Sequence, residues 1–167
     1  SLDTTILAKG HLLYNLACHP DQWSLLVERP DLIGSAIYET LRHSTPLRWF
    51  SCVAVRDYVV EGETEPRASR VMLLYGSANR DERRYSEPDR FDIMRDNRDQ
   101  LAWGTGPHTC AGMHLARLEI EVLLGSMIEA AVTLGAKEPK LGTNAGLYWF
   151  TELPLRIKRK QQGQGRA

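Results

Sequence analysis

The densest concentration of residues able to do chemistry is the run Trp103-Gly104-Thr105-Gly106-Pro107-His108-Thr109-Cys110-Ala111-Gly112. Its glycines and proline predict a tight loop, and Cys110 lands near the start of the long helical pattern that follows. There the free N–H groups and the positive end of the helix dipole stabilise a thiolate, the form of cysteine that ligates metals or attacks electrophiles. The same residues also suit a buried, inert cysteine beside a glycine turn, the commoner fate of a cysteine, and local physics leaves both readings open. Spacing weakens two competing chemistries. A Walker-type phosphate loop needs Lys followed by Ser or Thr after its glycines, and the run supplies no such pair. A cysteine phosphatase needs an arginine where Ala116 stands, and Arg117 comes one position too far along.

Together with other stretches in the right order, this loop resembles the haem loop of the haem-thiolate monooxygenases, the cytochromes P-450. That family's pattern Phe-Gly-x-Gly-x-His/Arg-x-Cys-x-Gly is matched at Gly104, Gly106, His108, Cys110 and Gly112, with Trp103 in place of the usual Phe. The resemblance implies haem b (iron protoporphyrin IX) as cofactor, with Cys110 as the axial thiolate on its iron, the lever that favours O–O cleavage. It also pairs His108 with a haem propionate and packs Trp103 near the sulfur and the haem. Glu39-Thr40-Leu41-Arg42 resembles the family's E-x-x-R, whose spacing puts both charges on one helix face. Alone, such a pair is a solvated bridge worth little. In this company the resemblance makes it part of a fold-fixing triad, with Arg90 of Pro88-Asp89-Arg90-Phe91 as third member. Leu2-Asp3-Thr4-Thr5 resembles the acid–alcohol pair of the family's distal helix, which makes Asp3 and Thr4 the implied catalytic residues relaying protons toward the haem. Read without the resemblance, those residues are a capping or surface cluster. His19-Pro20-Asp21-Gln22 and Asn79-Arg80-Asp81 also look like common bacterial patterns of the family, and neither carries chemistry.

The resemblance runs from Asp3 to about Ile157 and implies the carboxy-terminal half of a soluble bacterial-type member. Such a haem-dependent monooxygenase inserts one oxygen atom from O2 into a small organic substrate, with electrons from a redox partner, a ferredoxin or flavoprotein reductase. A complementary amino-terminal half is the further partner implied, since the front of the distal helix and most substrate-recognition elements have no counterpart here. The contrasting expectation is a truncated remnant, or a half that works only when docked to that partner. A haem-free cysteine hydrolase ranks last. Three departures from the family pattern stand out: Cys52 where many bacterial members carry a propionate-binding arginine, Pro66-Arg67-Ala68-Ser69 for Pro-x-Gly-Thr, and Tyr148-Trp149 for Arg-Gly. Leu47, Trp49, Phe50 and Leu147 are candidate pocket-lining residues, with plain core packing equally expected.

The elements that must position these residues are legible to different degrees. Helical periodicity covers Leu2 to Cys18, with Leu2, Ile6, Leu13, Leu16 and Ala17 near one face and Lys9 intruding on it. Pro20 and Pro30 sit where a first helical turn tolerates proline, so Asp21 to Val27 and Asp31 to His43 read as two more helices. Val53, Val55, Tyr58, Val59 and Val60, a turn at Glu61-Gly62-Glu63 and the run Arg70 to Leu74 predict a small sheet. Asn79 to Gln100, charged and containing Pro88, predicts an irregular surface meander, and Met113 to Leu134 a long helix. The fold class is thus mainly α with a small β-sheet (α+β), with one haem-binding portion over 1–157 and a disordered polar tail over 158–167.

Composition bounds the rest. With 167 residues, 21 Lys plus Arg against 21 Asp plus Glu and 43% hydrophobic residues, the chain is that of an ordinary globular domain. Zero net charge argues against nucleic acid or an anionic membrane as main partner. Cys18, Cys52 and Cys110 are odd in number and widely spaced, which argues against a disulfide framework or zinc knuckle and for a reducing cytoplasm. Ser1 to Thr5 lacks the basic opening of a signal peptide, and Arg117, Glu119, Glu121 and Glu129 break the longest apolar stretch, so no membrane span is expected.

Overall fold

The computed structural model describes residues 2–130, 132–142, 144 and 146–159. Helix α1 (Leu2–Cys18) is followed by α2 (Pro20–Glu28), a single 3-10 turn at Pro30–Leu32 and α3 (Ile33–His43). Proline opens both α2 and the 3-10 turn, where its missing N–H costs nothing. The core face of α1 is Ala8, Leu12 and Leu16, one residue per turn. Ile6, expected on that face, is largely exposed, and Lys9 ends in an ion pair with Glu119 at 2.5 Å. α1 packs on α3, and α3 on helix α5 (Met113–Glu129), with Ile37, Leu41, Ile120 and Leu124 between them.

Four two-stranded antiparallel sheets surround this helical layer. β1 (Phe50–Val53) pairs with β4 (Arg70–Leu73), and β2 (Tyr58–Val60) with β3 (Glu63–Glu65). The single small sheet expected over this region is therefore two ribbons. Glu61 and Gly62, both at positive φ, close the β2–β3 hairpin as a two-residue turn whose twist matches its strands. Ala68 holds φ +70, the left-handed conformation glycine would adopt at the Pro-x-Gly-Thr position it occupies. After the short helix α4 (Tyr75–Ala78) and the meander, α5 stops at Glu129, short of Leu134. β-Branched Val132 and Thr133 belong instead to β5 (Val132–Ala136), which pairs with β8 (Leu155–Arg159), while β6 (Lys140–Leu141) pairs with β7 (Phe150–Glu152). Lys158 and Arg159, expected in a tail, are the last residues of β8, and 160–167 lie outside the described residues. No helix among the described residues is long and apolar enough to cross a membrane.

The meander is irregular in backbone but not confined to the surface: Tyr85, Phe91, Ile93, Asn79, Asn97 and Gln100 are buried. What recruits it is a buried ion pair on α3. Glu39 and Arg42 are both fully buried, and Arg42 Nε and a terminal nitrogen donate to the two Glu39 oxygens at 2.8 and 2.9 Å. The remaining guanidinium donors reach the carbonyls of Asn79 (3.0 Å), Pro88 (2.8 Å) and Arg90 (3.1 Å). Glu39 further accepts the Asp92 N–H and the Asn97 amide, each at 2.9 Å. Arg90, expected as third member, contributes only its carbonyl; its side chain lies at the surface beside Glu87 and Asp92. Phe91 turns into the core, so its chain neighbour Arg90 faces outward. Arg95 takes the vacated role, its Nε 3.6 Å from Glu39 Oε1 and its side chain 14% exposed.

Removing one partner of a buried pair leaves an uncompensated charge and costs about 3–5 kcal/mol, whereas an exposed pair is worth under about 1 kcal/mol. Arg42→Met should therefore lower the urea unfolding free energy by about 3 kcal/mol or more and Arg90→Ala by less than about 1, with Arg95→Ala between them. Burial, with Arg80 close by, holds the His43 pKa at about 4 against an ordinary 6.5, and burial also lowers that of His11. The folded chain thus stays neutral at these rings where the unfolded chain takes up protons, so stability falls as pH drops from 6.5 toward 4. The urea midpoint, followed from about pH 7 to about pH 4.5, should decline with a shallower slope in His43→Gln.

Candidate functional site

The loop between the meander and α5 is built on two left-handed glycines, Gly104 (φ +69) and Gly106 (φ +64). A Cβ on Gly104 would lie 3.2 Å from the His108 carbonyl oxygen, so that position is closed to side chains on both counts. The Cys110 N–H donates to the Trp103 carbonyl at 2.8 Å and the Gly104 N–H to that of Leu101 at 2.9 Å, while Gly106–His108 forms one 3-10 turn. The Cys110 carbonyl accepts the Met113 N–H at 3.2 Å, which ties the cysteine directly into the start of α5. The thiol is free and exposed.

The loop borders a cleft of about 660 Å³. Trp103, Gly104, His108, Cys110 and Gly112 all line it, whereas Gly106 serves the turn behind it. Across the cleft α1 contributes Thr4, Thr5 and Ala8, so Thr4 and Cys110, far apart in sequence, face one space. Asp3, one position earlier on α1, is exposed and outside the lining. Pro46, Leu47 and β1 complete the wall, including Phe50 and, where an arginine was expected, Cys52. Of the other candidate lining residues, Leu147 bridges to Leu47 from behind, and Trp49 borders a separate, polar cleft beside Arg48 and Arg80. Among the described residues no group of three or more His, Cys, Asp or Glu side chains comes together.

Sequence reasoning missed the residue that anchors the loop. Asn79 is fully buried; its Oδ1 accepts the Leu101 N–H at 2.8 Å, its amide donates to Thr45 Oγ1 at 3.0 Å, and its carbonyl accepts from Arg42. The motif Asn79-Arg80-Asp81 read as a chemistry-free turn, and nothing local in it announces a bond 22 residues downstream.

The Cytochrome P-450 family model matches residues 19–131. The chain belongs to the cytochrome P-450 family. It is 34% identical over 157 residues to cytochrome P-450 CYP199A2 of Rhodopseudomonas palustris, which is 93% of this chain and 38% of that protein. It is 39% identical over 147 residues to the beta-dihydromenaquinone-9 omega-hydroxylase of Mycobacterium tuberculosis, covering 87% of this chain and 30% of that one. The solved structure of CYP153D17 from a Sphingomonas species superposes with a TM-score of 0.88 at 34% identity, over 94% of this chain and 40% of that one. This P-450 chain thus spans well under half the length of the relatives it matches. The family implies haem, and the cleft fits it. Its volume lies within the range of about 300–1,000 Å³ typical of cofactor sites, a free thiol lines it, and the Trp103 indole N–H is buried without a partner.

The glycine geometry yields a graded expectation. Gly106→Ala meets open space and bears only the left-handed strain of about 1–2 kcal/mol, whereas Gly104→Ala adds a backbone clash. In a haem titration followed by absorbance, Gly104→Ala should lose more uptake than Gly106→Ala.

Proposed function

We propose that this chain is the haem-binding portion of a bacterial-type P-450 monooxygenase. The observation that carries the reading is the single cleft that Cys110 and Thr4 share. The cofactor would be haem b (iron protoporphyrin IX), which when bound supplies the O2 chemistry that inserts one oxygen atom into a small organic substrate. Electrons would come from a redox partner, a ferredoxin or flavoprotein reductase, in the cytoplasm.

Cys110 would hold the haem iron through its thiolate, and its backbone is fixed by Trp103 on one side and Met113 on the other. Trp103 lines the same cleft as Cys110, and its indole N–H is buried without a partner. His108, on the same lining, offers a donor to a propionate. Cys52, on the same lining, supplies no positive charge at the expected arginine position, which would weaken the anchoring of the haem. Thr4, on the cleft lining, would hold and pass a proton into the cleft, and solvent-exposed Asp3, its chain neighbour, would exchange that proton with water. Leu47 and Phe50 exclude water and present an apolar wall to the substrate.

A second feature bears on how this portion works. Leu115, Leu118 and Val122 form one stripe along α5 and are 63%, 56% and 60% exposed, too apolar a helix face to stand in water by choice. We assign this stripe to a complementary amino-terminal half, and the chain would oxidise substrate only with that half in place.

The reading is tested by the spectrum of the reduced, carbon monoxide-treated chain after haem addition. A strongly red-shifted Soret band is expected, lost in Cys110→Ala while Cys52→Ala retains it. A band unchanged by Cys110→Ala would overturn the assignment.

A further inference from the structure

We infer that the hydrogen bond from His11 to the Tyr148 carbonyl clamps the Leu47 wall of the cleft to α1, which makes His11 a positioning residue for apolar ligands entering there. The role toward a ligand rests on the proposed function; the clamp itself rests on geometry. Residues 146–148 splint the back of the wall: the Tyr148 N–H donates to the Pro46 carbonyl at 2.8 Å, the Arg48 N–H to that of Gly146 at 2.9 Å, and Leu47 bridges Leu147 between them. Pro46 and Leu47 line the cleft from this segment.

A hydrogen bond from α1 ties this splint across the molecule. His11 Nε2 lies 2.7 Å from the Tyr148 carbonyl oxygen, and a carbonyl only accepts, so Nε2 carries the proton. His11 is 1% exposed, and its Nδ1 is buried without a partner, so the ring is spent entirely on this contact. Tyr148 and Phe150 flank the ring at 4.4 and 4.6 Å, and the Arg48 guanidinium stacks on Tyr148 at 4.3 Å. His11 follows Thr4 and Ala8 at i+7 and i+3, the same face of α1 that borders the cleft. A helix residue that does not itself line the cleft thus adds a direct tie between α1 and the Leu47 wall, beside the packing of α1 on α3.

His11→Phe keeps the ring and loses the donor, His11→Gln returns an N–H at similar reach, and His11→Met replaces the Phe variant should that fail to fold. In hydrogen–deuterium exchange of the chain without haem, the Phe variant should exchange the Arg48 and Tyr148 amides at least about tenfold faster, with the Gln variant near the unsubstituted chain. With haem bound, Soret titrations should give imidazole affinities within about twofold of each other, while 4-phenylimidazole, which adds an apolar ring, weakens about fivefold or more in the Phe variant and recovers in the Gln variant. Unchanged exchange overturns the clamp. Faster exchange with an unchanged ratio of the two azole affinities overturns the positioning role. An unsubstituted chain with no thiolate-type haem spectrum overturns the functional reading instead, and the exchange rates then decide the clamp alone.

Discussion

The buried Glu39–Arg42 pair is the constraint on which the rest of the structure depends. Two charges taken out of water cost several kcal/mol each, and their mutual attraction offsets this only if every remaining donor and acceptor is used. Here they are. Arg42 spends its guanidinium on both Glu39 oxygens and on three carbonyls of the meander, and Glu39 completes itself with Asp92 and Asn97. An apolar pair of similar volume would pack well on α3 but would leave those carbonyls buried and unsatisfied. The pair's contribution is thus less to net stability than to fixing one path for a segment that has no regular secondary structure to fix it.

From that path the functional loop inherits its position. Arg42 holds the Asn79 carbonyl, Asn79 holds the Leu101 N–H, and Leu101 accepts the Gly104 N–H that begins the turn toward Cys110. The cysteine's backbone is then closed by Trp103 and Met113. A ligand loop with two left-handed glycines would otherwise be soft, and preorganisation of a metal ligand requires that its supporting bonds be in place before the metal is.

What could be read from the sequence follows from the range of the interactions involved. The turn that carries Cys110 was legible because its requirements are local, glycines at positive φ and a cysteine before a helix, whereas its reading as a haem loop rested on the family resemblance. Helices α1 to α3 were legible from periodicity and proline placement. The third cation was not, because Arg90 and Arg95 lie in the same charged stretch and only the inward turn of Phe91 decides which of them meets Glu39. Asn79 was missed for the same reason, its partners being distant in the chain. Strands β5 to β8 were missed because each is short and gains its partner only across a long connection, while the apolar run from Met113 to Leu134 reads as continuous helix when the competing strand is unknown.

The exposed stripe on α5 and the cleft bear on each other. Leu115, Leu118 and Val122 point away from Ile120 and Leu124, which bury the opposite face of the same helix. Covering the stripe would hold α5 from both sides, and with it the end of the loop at Met113 that braces Cys110. The Cys110 side of the cleft is supported through α3, the meander and α5. The opposite side rests on α1 near Thr4, where Asp3 and Ile6 face solvent. The two sides consequently draw on different supports, a chain of buried hydrogen bonds behind Cys110 and the packing of α1 on α3 behind Thr4.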